Sequence, residues 1–113
     1  MKIIEDPISL EELRDVAKKL FGNMIKVVVD IEKEQMAIDG ELHADEEALL
    51  LQNGSKQQNL WGINLYPDMK GKDFIEFDSM INLRPSIRNN SRSIDNPQIR
   101  EKITQIVKKL IKP

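Results

Sequence analysis

Cysteine is absent from this chain of 113 residues. That excludes a disulfide framework, a thiolate nucleophile and every Cys-ligated zinc or iron–sulfur site. Aromatic residues are scarce, with 3 Phe, 1 Trp and 1 Tyr, so the core must be mostly aliphatic. There is no basic excess. Lys and Arg number 17 against 19 Asp and Glu, for a formal net charge of −2, whereas a protein that lives on a phosphate backbone carries a surplus of cations. Bulk nucleic-acid binding is disfavoured; a local basic patch is not. Long apolar runs are missing too. Stretches such as Ala48 to Leu51 fall far short of the roughly 20 residues that a membrane helix requires. Met1 to Leu20 carries scattered acidic residues and no apolar core of signal-peptide length. The expected compartment is the cytoplasm, with no membrane partner.

What is present is a globular composition, 40% apolar and 32% charged, well away from the disordered extreme. The length suits one domain over residues 1–113, able to bury roughly two thirds of its unfolded surface.

Ser9 and Glu12 fit a capping box, with Ile8 and Leu13 at the staple positions. Leu13, Val16, Ala17 and Leu20 then recur at helical spacing, and Gly22 stands where a left-handed terminus is wanted. Met24 to Glu32 alternates around Ile25, Val27, Val29 and Ile31 and predicts a strand, which Gln35 to Asp39 returns as a hairpin. Gly40 to His43 can extend that return. Ala44 to Gln52 reads as a short helix with acidic residues at its start, although a strand fits its periodicity as well.

Leu60 to Tyr66 predicts a third strand, and Phe74 to Arg84 a fourth, the best alternating segment in the chain. Ser86 to Asn96 is a polar loop. Asn96 and Pro97 then open a closing helix with the stripe Ile99, Ile103, Ile106, Val107 and Leu110. The expected class is α+β: a mainly antiparallel sheet of about four strands, in the order helix, two strands, helix, two strands, helix. The helices are expected on one face and a polar, solvent-facing surface on the other.

Four places could carry chemistry. Glu41, His43 and Asp45 hold the only histidine; on a strand they would share one side and offer a divalent metal oxygen and nitrogen ligands. The plainer reading is a polar helix entry. Glu76 and Asp78, two apart on a strand, are neighbours that could join His43 in acid–base or metal-assisted chemistry, or simply sit on a solvated face. Asn82, Arg84, Arg88, Asn90 and Arg92 cluster guanidinium groups among small hydrogen-bonding side chains, which suits an anion; a flexible basic loop is the plainer alternative. Trp61 in Leu60 to Tyr66 is read as core rather than a stacking platform. No cofactor motif is evident, since Gly-rich phosphate loops, metalloprotease His pairs and nucleophile elbows are all missing.

The stretches Gly40 to Ser55, Leu60 to Pro67 (Leu-Trp-Gly-Ile-Asn-Leu-Tyr-Pro) and Phe74 to Ser86 (Phe-Ile-Glu-Phe-Asp-Ser-Met-Ile-Asn-Leu-Arg-Pro-Ser) resemble a family of short prokaryotic proteins described only as a domain of unknown function. The resemblance covers nearly the whole chain. It implies a self-contained domain and supplies no activity, cofactor or catalytic residue.

The reading that demands least geometry is a binding module for a small anionic ligand or a partner protein, through the polar sheet face and the arginine loop. The alternatives are a divalent-metal phosphoester hydrolase using His43, Glu41, Glu76 and Asp78, and a structural or assembly role in which the polar face or a sheet edge forms a homo-oligomer.

Overall fold

The computed structural model describes residues 1–113. In chain order the elements are β1 (Lys2–Ile4), β2 (Ile8–Ser9), α1 (Leu10–Leu20), β3 (Ile25–Asp30), β4 (Gln35–Ile38), α2 (His43–Gln52), β5 (Leu60–Leu65), β6 (Ile75–Glu76), α3 (Pro97–Leu110) and β7 (Ile111–Lys112). The α+β class holds. A five-stranded antiparallel sheet runs in the order β1-β4-β3-β5-β6, and β2 pairs in parallel with β7. Lys2–Ile4 and the β2–β7 pair are too short to show alternation.

The helix ends follow local chemistry. Ser9 Oγ accepts from Glu12 N at 3.0 Å, and Gly22 takes φ +90° just past α1. Only half of the capping box forms, because the Glu12 carboxylate turns to Lys2 Nζ at 3.0 Å. Asn96 Oδ1 accepts from Gln98 N at 2.9 Å, and Pro97 starts α3. The hairpin between β3 and β4 is set by the buried Asp30, whose Oδ1 accepts from Glu32 N and Lys33 N and whose Oδ2 accepts from Ser55 Oγ. Gly40 to His43 does not extend β4: Asp39 turns left-handed at φ +66° and α2 begins at His43.

Successive residues of a strand point to opposite faces, and here both faces bury apolar side chains. Ile25, Val27, Val29, Trp61, Ile63 and Leu65 form one core with Leu13 and Val16 of α1 and with Ile103, Ile106 and Leu110 of α3. Val28, Ala37 and Leu60 face the other way and bury Leu50 of α2. Burying a leucine side chain like that of Leu50 contributes about 1.5–3 kcal/mol. The second face, expected to be polar and open, is therefore partly roofed by α2. Val28 occupies the polar register of β3, and its apolar character is the sign that this strand is buried on both sides.

The long strand expected over Phe74 to Arg84 is the main correction. Only Ile75 and Glu76 pair with β5, after which the chain makes tight turns over Met80–Asn82 and Pro85–Ile87. The next stretch of β5 edge is taken by a side chain instead. Asn82 Oδ1 accepts from Gly62 N at 2.8 Å, and Asn82 Nδ2 donates to Gly62 O at 2.9 Å. One buried amide thus supplies the donor and acceptor that a neighbouring strand would have offered. Gly62 suits this approach, since a Cβ there would lie 2.5 Å from Ser79 Cβ. Replacing Asn82 by Ala leaves a buried N–H and C=O unpaired and should cost about 2–4 kcal/mol in chemical denaturation. A loss below about 0.5 kcal/mol would show that the amide is not what closes this edge.

α2 is anchored by a buried carboxyl. Glu46 Oε2 accepts from Gly40 N at 3.0 Å, while Oε1 is buried without a partner. Burial is the main cause pushing the pKa of Glu46 up to about 9, against the smaller opposing effects of the Gly40 N–H and Lys26. Glu46 is therefore a neutral acid at pH 7. Because the folded value exceeds the ordinary 4.5, the native state holds a proton that the unfolded chain has released between those pH values. The stability this proton confers is complete below about 4.5 and is lost as pH rises toward about 9, by at most about 1.4 kcal/mol per pH unit. Glu46→Gln should remove that slope, so wild type and variant unfolded in urea at pH 5 and pH 8 should diverge at the higher pH. Parallel behaviour would mean that Glu46 is ionised in the fold.

Candidate functional site

The sequence-predicted groups fall into three neighbourhoods. Asn82, Arg84 and Asn89 belong to the framework of the loop. Asn89 Nδ2 donates to the carbonyls of Asn82, Ser91 and Ser93. Arg84 donates from Nε to Ile81 O, from Nη1 to Gln57 O and from Nη2 to Leu60 O, with its guanidinium 4.6 Å above the Trp61 ring. Trp61 itself is in the core, at 2% exposure. Arg88 is exposed in a left-handed conformation, φ +62°, and Asn90 N donates to Asp95 Oδ2 at 3.1 Å. These last two do not join the framework.

Glu41, His43 and Asp45 do not converge. The segment enters a helix rather than a strand, so alternate residues lose their common side. Glu41 and Asp45 are exposed while His43 is half-buried. Nowhere in the chain do three His, Asp or Glu side chains gather as a metal would require.

The third neighbourhood brings distant segments together. Lys26 of β3 lies opposite Asn64 of β5, and Asn64 lies opposite Glu76 of β6. These residues share the sheet face that α2 partly covers. Asn64 Nδ2 donates to Glu76 Oε1 at 2.9 Å, as does Tyr66 Oη at 2.9 Å. His43 reaches the same region from the first turn of α2, with Nε2 2.8 Å from Ile63 O. A carbonyl only accepts, so Nε2 carries the hydrogen and the neutral ring keeps its lone pair on Nδ1. Arg92 completes the group by pairing with Asp78, Nε to Oδ1 at 2.8 Å and Nη2 to Oδ2 at 3.3 Å.

Between these residues is a cleft of about 200 Å³ whose lining includes Lys26, Leu42, His43, Ser79, Met80 and Arg92. Lys26 makes no ion pair; its ammonium sits 5.2 Å from the centre of the Phe21 ring. Leu42 precedes α2 and offers no side-chain cap, which leaves the first N–H groups of the helix without a side-chain acceptor. Lys26, Arg92 and the uncapped start of α2 thus line one mouth. Glu76 and Asp78 lie on the same side of the sheet, each already hydrogen-bonded to groups other than His43.

Lys26 and Ser79 carry no sequence signal as site residues. Lys26 reads as one polar position of an alternating strand, and only its isolation among Ile25, Val27, Val28 and Val29 marks it as different.

A family model described as "Protein of unknown function (DUF5674)" matches residues 2–110, and the chain belongs to that family. No curated protein and no solved structure matches it.

Burial is the main cause holding the His43 pKa below the ordinary 6.5. The Ile63 carbonyl opposes that effect, Lys26 adds to it, Asp78 opposes it and Arg92 adds to it. In an NMR pH titration, His43 should therefore titrate below 6.5. Lys26→Met should move the midpoint up and Asp78→Asn should move it down. Insensitivity to both substitutions would mean that the cleft is not an electrostatic unit.

Proposed function

We propose, from the premise that membership of an uncharacterised family confers no inherited activity, that residues 1–113 act as one binding module for a small anionic ligand. The ligand sits at the mouth of α2. Its charge is met by Lys26, by the free edge of the Arg92 guanidinium and by the first N–H groups of the helix, where the dipole also favours an anion. The single observation that carries this reading is that Lys26, which makes no ion pair, lines the same cleft as the uncapped end of α2.

Leu42 and Met80, 54% and 62% exposed at the lip, suit a ligand with an apolar portion beside its charge. His43 Nδ1 is free to accept from a ligand that also carries a hydroxyl or N–H group. Arg84 is left out of the contact set because its donors already hold three carbonyls. The cytoplasm is the compartment we assign. Metal-dependent hydrolysis has less support, since the carboxylates of this region are engaged with Asn64, Tyr66 and Arg92.

Titration of labelled protein with inorganic phosphate and with phenyl phosphate should give saturable shifts at Lys26, His43, Ala44 and Arg92. Phenyl phosphate should bind more tightly than phosphate. Lys26→Met and Arg92→Ala should each weaken binding by about tenfold, the size expected for losing one charged contact, while Arg88→Ala leaves it unchanged. Shifts absent from the α2 mouth, or wild-type affinity in the Lys26 and Arg92 variants, would overturn the proposal.

A further inference from the structure

Away from that cleft, a groove of about 320 Å³ opens between the start of α1, the loop leading into β6, and the last turn of α3 with β7. Leu10, Phe74, Ile75, Val107 and Ile111 supply its apolar wall. These come from segments far apart in sequence, and Val107 and Ile111 belong to the main core. The groove is thus a place where that core reaches the surface. Its volume falls at the lower end of the roughly 300–1,000 Å³ typical of small-molecule sites.

The charged side chains at this groove are all of one sign. Lys70 and Lys108 line it, and no acidic side chain does. Neither ammonium has a carboxylate within 4.0 Å, whereas Lys102 and Lys109 on the same helix as Lys108 both hold Glu34. Two unpaired cations beside an apolar slot, in a chain of net charge −2, complement a molecule with a hydrocarbon body and an anionic head.

We propose that this groove binds a free aliphatic carboxylate, a medium-chain fatty acid. The hydrocarbon chain packs against Leu10, Phe74, Val107 and Ile111, and the carboxylate meets Lys70 and Lys108. A slot of this volume takes up a single chain.

The test is an NMR titration of the labelled full chain with decanoate, kept below its micellar concentration, alongside decanol and decyltrimethylammonium. Saturable shifts at Leu10, Phe74, Thr104, Val107 and Ile111, with decanoate binding more tightly than both comparison compounds, are expected. Lys70→Glu combined with Lys108→Glu should weaken decanoate binding by about tenfold or more. Both lysines are exposed, so the variant should keep the wild-type melting temperature. Wild-type affinity in that variant, equal binding of the cationic amphiphile, or no saturable response would overturn the proposal. Binding to phosphatidylglycerol vesicles without a response to decanoate would overturn it in favour of a membrane surface.

Discussion

Strand β5 has a true strand neighbour on its β6 side only at Asn64 and Leu65, and the backbone of Gly62 would be left unpaired without the Asn82 side chain. That one amide closes the edge with two hydrogen bonds, and Asn82 Nδ2 also donates to Arg92 O at 3.0 Å. The same Arg92 carbonyl accepts from Ser79 N at 3.0 Å. The loop that carries Arg92 is therefore tied to the middle of the sheet through the residue that completes the sheet. Backbone groups buried without partners cost more than a hydrogen bond normally returns, so this junction constrains everything hung from it.

The location of the cleft follows from that constraint. Holding Ser79 and Arg92 against β5 places the Asp78–Arg92 pair beside Asn64, across from Lys26 on β3. α2, fixed from the opposite side by Leu50 and by the Glu46–Gly40 contact, brings His43 and the open first turn to the same spot. Three segments that share no local pattern thus contribute to one mouth. The groove near α3 arises differently, where the short β2–β7 pairing holds the ends of α1 and α3 together and leaves part of the core uncovered.

Elements governed by neighbours in sequence are legible in the linear chain. The Ser9 cap, the Gly22 terminus, the Asn96–Pro97 start and the stripe from Ile103 to Leu110 all fall where periodicity and capping chemistry put them. The alternating pattern of Phe74 to Arg84 misleads because alternation reports which residues want burial, not whether a partner strand is available. Phe77 packs against one core and Ile81 against the other, so both are satisfied without a strand. The roles of Asn82 and Arg84 are illegible for a related reason. An amide or guanidinium that serves backbone groups about twenty residues away looks, in sequence, like one waiting for a ligand.

Composition and local order by themselves determined the α+β class, the ends of α1 and α3, the aliphatic core and the exclusion of thiol chemistry. Those depend on interactions within a few residues or on bulk proportions, which a linear string records in full. Only the tertiary structure decided that α2 partly covers the second face of the sheet, that Asn82 stands in for a strand, and that Lys26, His43 and Arg92 line one cleft. Each of those outcomes rests on pairing between segments distant in the chain, and such pairing is selected by the burial of the whole fold rather than by any pattern its members carry alone.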